Sequence, residues 1–303
     1  MPHKIEFEKP DLNRLRDRYT VVDLHFHTRY SDGLNGVPAI VRRVRELGIG
    51  IAITDHNQIA GAVEIDRYDD ILSVPGIEIT SREGTHLLVY FRKIESLKSF
   101  FHNDVEPFMG SEIMSSVNLD METLIDRARD YDDAVIVFPH PYSAVYTGIC
   151  NLQFPRQRLD ALFERADAVE VINSENLRKW NMKSALLGFN LEKGITGGSD
   201  GHSLYHTGKV VTYAEYPPPR EDFPHAIQAR ATRVIGKEIH ILRKMTSNSF
   251  KLRSNIRNCP DLLEKNIRYS CTVINSKSKP FRDKVKARIH ARSWPPRRKV
   301  QAR

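Results

Sequence analysis

Along most of the chain, short apolar segments of strand character alternate with segments whose apolar positions recur at helical spacing. Apolar runs bounded by turn residues, such as Ser31-Asp32-Gly33, are typical of buried strands, and apolar residues three and four positions apart are typical of amphipathic helices. The pattern predicts strands at 21–28, 49–54, 71–79, 87–91, 134–138, 168–172 and around Ile195. It predicts helices at 37–47, 121–131, 156–166 and 176–189, and no firm element at 94–119.

Strand–helix alternation at this spacing favours an α/β fold with parallel strand pairing. After residue 236 the pattern fades into polar runs such as Asn275-Ser276-Lys277-Ser278. We therefore predict an N-terminal segment at 1–19, one domain at 20–236 and a basic, partly disordered extension at 237–303.

The composition fits a folded domain in a reducing compartment. The chain has 303 residues, of which 40% are hydrophobic, and no apolar run approaches a membrane span. The N-terminus lacks the shape of a signal peptide. Cys150, Cys259 and Cys271 show neither paired nor metal-like spacing, so we expect free thiols and a cytoplasmic protein with no membrane association.

The net charge of +8 is unevenly distributed. From Lys237 onward there are 19 Lys and Arg residues against 4 Asp and Glu residues, so the rest of the chain is acidic. A basic tail of this kind can bind nucleic acid through phosphate contacts, although a solvated, flexible terminus is the more common explanation.

Two histidines separated by one residue, in His25-Phe26-His27, end the first predicted strand. Side chains alternate faces along a strand, so His25 and His27 are expected to project in the same direction. Imidazole is a common metal ligand near neutral pH. One such pair is a weak signal by itself, because an isolated histidine is more often an ordinary core or loop residue.

Further imidazoles and carboxylates follow where predicted strands give way to polar or glycine-containing loops. The C-terminal ends of parallel strands gather on one face, so residues distant in sequence can converge there. The nine potential ligands are His25, His27, Asp32, His56, Glu78, His86, His140, Asp200 and His202. The absence of cysteine among them favours a His/carboxylate centre over a structural zinc site.

These segments resemble the motifs of the PHP (polymerase and histidinol phosphatase) superfamily over roughly residues 20–236. The motifs are Asp23-Leu24-His25-Phe26-His27-Thr28 with Ser31-Asp32-Gly33, Thr54-Asp55-His56-Asn57, Gly76-Ile77-Glu78, Pro139-His140-Pro141 and Ser199-Asp200-Gly201-His202. The resemblance implies a distorted (β/α)7 barrel carrying two or three divalent ions. Carboxylates suit manganese or magnesium, whereas imidazoles suit zinc or iron.

The resemblance also implies roles for these residues. It assigns the central metal pair to His25, His27, Glu78 and Asp200, and the adjoining positions to Asp32, His56, His86 and His140. Glu78 would bridge two ions, and His202 would ligate a metal or protonate a leaving group. Asp55 would orient a ligating imidazole or cap a helix.

A centre of this kind fits a metal-dependent phosphoesterase, of phosphatase or exonuclease type, that hydrolyses phosphomonoesters, nucleotides or short oligonucleotides. Substrate phosphate needs further donors, for which Arg178, Asn173 and Lys209 are candidates. The motifs look closer to nucleotide phosphatases than to histidinol phosphatases, but the segment between His86 and His140 is too short for the domain inserted in those enzymes.

Two other hypotheses stay open at this point. In the first, the basic tail of a nucleic-acid-associated module provides the main activity and the metals serve structure. In the second, the same centre hydrolyses a substrate that is not a phosphate ester, such as an amide.

Overall fold

The computed structural model of the protein describes residues 4–143, 146–151, 154–215 and 223–239. Its strands are β1 (Ile5–Glu6), β2 (Tyr19–Phe26), β3 (Gly50–Ile53), β4 (Gly76–Thr80), β5 (His86–Tyr90), β6 (Val135–Phe138), β7 (Ala168–Asn173), β8 (Gly194–Gly198), β9 (Val210–Glu215) and β10 (Arg233–Gly236). Its α-helices are α1 (Leu12–Arg16), α2 (Val37–Leu47), α3 (Ala60–Ile65), α4 (Ile94–Phe100), α5 (Met121–Arg129), α6 (Arg156–Arg165), α7 (Arg178–Leu191) and α8 (Phe223–Gln228).

The strands form two five-stranded sheets, in the orders β1-β10-β9-β2-β3 and β4-β5-β6-β7-β8. Isolated parallel bridges link the sheets in two places, from β3 towards β4 through His56 and Glu78, and from β2 towards β8 through Phe26 and Gly201. Seven strands, β2 to β8, therefore follow one another around a ring. The predicted α/β fold is confirmed. The two sheets do not close into a continuous barrel, and the order of the strands and the single bridges between the sheets are compatible with the predicted distorted (β/α)7 barrel.

One strand of the ring departs from parallel pairing. β5 pairs antiparallel with both β4 and β6, because only the short turn at 81–85 separates it from β4, and a parallel crossover needs many more residues. As a consequence, the first residue of β5, His86, lies at the same end of the ring as the C-terminal ends of its parallel neighbours.

The strands are buried on both faces, as their continuous apolar sequence predicts. Alternate residues of β6 illustrate this: Val135 and Val137 belong to an inner apolar cluster, whereas Ile136 and Phe138 pack with the outer layer of helices. Helix α8 closes the end of the ring that holds the strand starts, where Gln228 donates a hydrogen bond to the Ala134 carbonyl. The opposite end, where the parallel strands end, carries polar side chains and is here called the open end of the ring.

Local signals account for the helix that follows β2. Helix α2 begins after Gly36 with a proline in its first turn and ends at Gly48, whose φ of 64° is the left-handed conformation that favours glycine. Its residues Val37, Ile40, Val41 and Val44 are buried in the core. This helix and its glycine end were predicted from spacing alone.

Other predicted elements differ in extent. Strand β4 begins at Gly76 rather than at residue 71, and the segment without a firm prediction holds α4, a π-turn at Phe101–Val105 and a 3₁₀ turn at Glu106–Phe108. Within the N-terminal segment, β1 pairs with β10. The domain boundaries stay a prediction, and nearly all of the basic extension lies outside the described residues. No helix in the described ranges is long and apolar enough to cross a membrane.

Candidate metal centre

The nine predicted ligands lie together at the open end of the ring. His86 begins β5, and the other eight lie in or after the last part of a strand. His25 is in β2, His27 and Asp32 follow β2, His56 follows β3, Glu78 is in β4, His140 follows β6, and Asp200 and His202 follow β8. Within the described residues, four overlapping groups have ligand atoms within 4.8 Å of one another: His25-His27-Asp200, His27-Asp32-His202, His27-His56-Glu78 and Glu78-His86-His140.

Glu78 is the centre of this arrangement. Its Oε2 atom lies 3.3 Å from His25 Nε2, 3.4 Å from His27 Nε2 and 3.1 Å from His56 Nδ1. Its Oε1 atom lies 2.9 Å from His86 Nδ1 and 3.2 Å from His140 Nε2. The two oxygens of one carboxylate therefore face different sets of imidazoles, which is the arrangement that a bridging ligand needs.

Asp200 and Asp32 extend the centre to one side. Asp200 Oδ1 lies 3.2 Å from His27 Nε2 and 3.6 Å from His25 Nε2. Asp32 lies 3.6 Å from His27 Nδ1 and 2.8 Å from His202 Nε2. The imidazole of His27 thus stands between two carboxylates and is shared by three of the four groups.

Several ring nitrogens of this centre are buried and make no hydrogen bond in the described structure. They are His25 Nε2, both nitrogens of His27, His56 Nδ1 and His140 Nδ1. Buried polar atoms are normally paired, so this many orphaned nitrogens at one place need an explanation. Divalent metal ions are the partners that neutral imidazoles and carboxylates share, so the residues present fit such ions.

The electrostatics keep the carboxylates charged. Burial by itself would raise the pKa of Glu78, but the imidazoles around it, of which His86 has the largest effect, hold it well below its usual range. Burial likewise opposes ionisation of Asp32, and the imidazole of His202 is the main cause that holds the Asp32 pKa well below its usual range. Burial lowers the pKa of His56 to about 3, so this imidazole is neutral, the form that binds metals.

The backbone around the centre adopts conformations that side-chain-bearing residues rarely take. The φ angles of Asn57, His140 and Asp200 are 47°, 29° and 50°. Such conformations persist where the surrounding structure enforces them, and they cluster at functional sites. Gly198 marks a close approach, because a Cβ atom at this position would collide with the backbone and Cβ of His25.

Asp55 supports the loop that carries Asp32. Its Oδ1 accepts hydrogen bonds from the Thr28 amide (2.7 Å) and the Ser31 hydroxyl (2.6 Å), and its Oδ2 accepts one from the Thr28 hydroxyl (2.7 Å). Burial is the main cause that raises the pKa of Asp55. Through these contacts Asp55 positions the loop that carries Asp32. The catalytic role predicted for Asp55 stays a prediction.

The three predicted phosphate-binding residues lie in different surroundings. Asn173 is buried in the centre, where its amide donates to Glu170 Oε2 (3.0 Å) and Asp200 Oδ2 (3.2 Å). Arg178 lies over the ring of Phe7 and 3.5 Å from Glu238, so its charge is already balanced. The Lys209 ammonium lies 4.2 Å from the centroid of the Tyr205 ring, in the loop after β8.

Glu170 is a buried member of the centre that the motifs did not indicate. Its Oε1 lies 3.0 Å from His25 Nδ1, and its Oε2 accepts a hydrogen bond from the His140 amide (2.8 Å). A carboxylate that accepts from Nδ1–H leaves Nε2 of His25 with its lone pair towards the centre. The only signal in the sequence is a charged residue inside the apolar strand at 168–172.

Asp23 is a second buried carboxylate that the sequence did not assign. It accepts hydrogen bonds from the amides of Ser199 (2.8 Å) and Gly208 (2.9 Å), and thereby ties β2 to the loop that carries Asp200. Burial raises the pKa of Asp23 to about 6.

Comparison with known proteins adds the family and the fold. The sequence model of the PHP domain family matches residues 23–180 of this chain. An uncharacterized protein of Methanocaldococcus jannaschii is 28% identical over 167 residues, which cover 50% of this chain and 81% of that protein.

Among solved structures, endonuclease Q from Pyrococcus furiosus superposes with a TM-score of 0.57 at 18% identity, covering 71% of this chain and 57% of that one. A two-domain protein from Bacteroides vulgatus, for which a PHP-like metal-dependent phosphoesterase domain is predicted, gives 0.52 at 19% identity, covering 80% and 72%. At these identities the likeness shows a shared fold.

Proposed function

Because the chain belongs to the PHP domain family, we propose that it is a metal-dependent hydrolase of phosphate esters. The observation that carries the proposal is the set of four overlapping ligand groups joined through His27 and Glu78, in which buried imidazole nitrogens lack hydrogen-bond partners within the described structure. A structural metal site closes around one ion, whereas this centre offers several adjoining positions at the open end of a ring of strands. The two or three ions that it suits are manganese, zinc, iron or magnesium.

Divalent ions at such a centre supply Lewis acidity towards phosphoryl oxygens and an activated water at neutral pH. The residues of this chain hold and orient the participants. Glu78 and Asp200 place negative charge between the imidazoles, and Asn173 fixes Asp200 through its amide. Little covalent chemistry is asked of the protein, because phosphoryl transfer depends mainly on positioning and charge stabilisation.

His202 is our candidate for the proton donor to the leaving oxygen. Its Nδ1 lies 2.7 Å from the Asp200 carbonyl, which can only accept, so this nitrogen carries a proton. Its Nε2 lies 2.8 Å from Asp32 Oδ2. Nε2 of His202 is therefore the atom that either donates a proton or ligates a metal. It cannot do both at once, because a protonated nitrogen has no lone pair for a metal.

The finer assignment within this class is a phosphomonoester, nucleotide or short oligonucleotide substrate, hydrolysed in the cytoplasm. The acidic domain and the basic tail of the sequence support a nucleotide-containing substrate, since the tail can attract polyanions that the domain alone would repel.

The test is product analysis with the manganese-loaded protein and a panel of nucleoside monophosphates and bisphosphates, histidinol phosphate, a phosphotyrosine peptide, and short RNA and DNA. We expect release of phosphate or mononucleotides from at least one member and its loss in Glu78→Gln. Glu122→Gln is a matched control, because Glu122 pairs with Arg158 on the outer helices.

Metal content must be measured in the same preparations. If the protein holds its metals and hydrolyses no member of the panel, the proposal fails, and the hypothesis of structural metals with a nucleic-acid-binding tail gains support. If amide substrates alone are cleaved, the same centre serves a different reaction.

A further inference from the structure

Aromatic and basic side chains lie together beside the metal centre, where β6 and β7 end. They are Tyr142, Lys179, Trp180 and Lys183, here called the aromatic patch. The Lys183 ammonium lies 4.7 Å from the centroid of the Trp180 ring and 5.4 Å from that of Tyr142. The ammonium of Lys179 lies 4.9 Å from the Trp180 ring. One cation therefore stands close to the faces of two aromatic rings.

The aromatic patch is fixed to the centre by short stretches of chain. Tyr142 follows the candidate ligand His140 by two residues, so their Cα atoms are at most about 8 Å apart. The Tyr142 carbonyl accepts a hydrogen bond from the side chain of the buried Asn176, which holds it against the loop that precedes α7. The same loop begins at Asn173, which contacts Asp200.

Several features distinguish this patch from an ordinary helix surface. Tyr142 and Trp180 are each partly exposed, and both lysines are exposed. Arg178, on the same helix, is balanced by Glu238, whereas the ion pairs of the described residues include neither Lys179 nor Lys183. The patch thus presents flat π surfaces and uncompensated positive charge on the segments that follow β6 and β7, the two strands that lead to His140 and Asn173.

Flat π surfaces together with cations are the combination that binds unpaired nucleobases and their phosphates. Aromatic rings stack on bases of any sequence, and the lysines contact the backbone phosphate. A second pair of this type, Tyr205 and Lys209, lies in the loop after β8, next to the loop before α7, where His206 Nδ1 is 3.3 Å from Glu175 Oε1.

We propose that the aromatic patch binds the unpaired nucleobase and adjoining phosphate of a nucleotide whose scissile phosphate lies at the metal centre. This inference rests on the proposed function and names its substrate class. The base could belong to a mononucleotide or to a single strand, and the two sources share the same recognition chemistry. A phosphorylated sugar or peptide would use the metal centre and leave the patch empty.

Binding can be measured without turnover. The sequence has two tryptophans, so Trp294→Phe leaves Trp180 as the only one. In the magnesium-loaded full-length protein of this background, we expect Trp180 fluorescence to be quenched by short single-stranded oligonucleotides with hydrolysis-resistant phosphorothioate linkages. An abasic oligomer with the same backbone is the reference, and we expect it to bind about five- to 150-fold more weakly, the range that stacking of one base provides.

Kinetics provide the second measurement. We expect Trp180→Leu to lower the ratio of kcat/KM for nucleoside monophosphates to kcat/KM for ribose 5-phosphate by about five- to 150-fold, mainly through KM. The matched control is Phe189→Ala, because Phe189 is an exposed aromatic residue (79%) on the same helix, about two and a half turns after Trp180. Mononucleotide and single-strand substrates run in parallel distinguish the two sources of the base.

The outcomes separate this inference from the proposed function. If the protein hydrolyses phosphate esters and the ratio is the same in Trp180→Leu as in the wild type, the nucleobase inference is overturned and the proposed function stands. If no phosphate ester is hydrolysed, fluorescence still decides: equal affinity for the base-containing and abasic oligomers overturns the inference, whereas a preference for bases supports it.

Discussion

The buried contacts of Glu170 predict that it sets the metal affinity of the centre without touching a metal. We consider Glu170→Gln, which keeps the size of the side chain. The carboxylate serves three donors: His25 Nδ1 at 3.0 Å, the His140 amide at 2.8 Å and the Asn173 amide at 3.0 Å. Glutamine has one acceptor oxygen, and we expect this oxygen to stay with the two donors that Oε2 serves, so that the NH₂ group faces His25 Nδ1.

Two consequences follow, and each has a magnitude. His25 loses the acceptor that fixes which of its nitrogens carries the proton, and partners of this kind typically change metal affinity by about 10- to 100-fold. That range corresponds to about 1.4–2.8 kcal/mol of binding free energy. A buried donor without a partner also lowers the free energy of unfolding of the metal-free protein by about 1–3 kcal/mol.

The assay is isothermal titration of metal-free wild type and Glu170→Gln with manganese and with zinc, together with thermal unfolding of both forms. Asp167→Asn is the matched control: Asp167 accepts a hydrogen bond from Ile136 (2.7 Å) just before β7, at the opposite end of the strand. We expect the control to lose stability and keep wild-type metal affinity. Wild-type affinity in Glu170→Gln would refute the reasoning, since it would show that the metal affinity does not depend on this acceptor for His25.

Three further predictions follow from the packing. Gly198→Ala should strongly reduce metal content, measured by atomic emission, because its Cβ atom would displace the backbone of His25; retention of full metal content would contradict this. Burial raises the pKa of the Cys150 thiol from 9.0 to about 12. Alkylation of Cys150 near pH 8, followed by peptide mass spectrometry, should therefore be about a thousandfold slower in the folded protein than in the unfolded protein. Equal rates would contradict this prediction. Asp55→Asn should reduce the free energy of unfolding by about 1–3 kcal/mol, because an amide cannot accept all the hydrogen bonds that Thr28 and its loop donate to Asp55. An unchanged midpoint in chemical denaturation would argue against this positioning role of Asp55.

The sequence by itself determined the elements and the position of the chemistry along them. Apolar runs predicted the buried strands, and the spacing of apolar residues before Gly48 predicted α2 with its end. The placement of imidazoles and carboxylates at strand ends predicted which nine side chains would converge, because strand direction fixes the face at which strand ends meet. These are local properties, and local sequence is sufficient to encode them.

Tertiary structure decided how the strands close and what surrounds the ligands. The antiparallel course of β5, which places His86 at the open end, follows from the short connection to β4 and from pairing with β6. In the sequence, Glu170 is a single charged residue within an apolar strand. Only the packing of β7 near β2 brings its carboxylate to His25. Trp180 and Tyr142 are far apart along the chain and meet through Lys183. Contacts of this kind depend on the packing of distant segments, which no local pattern of apolar and polar residues records.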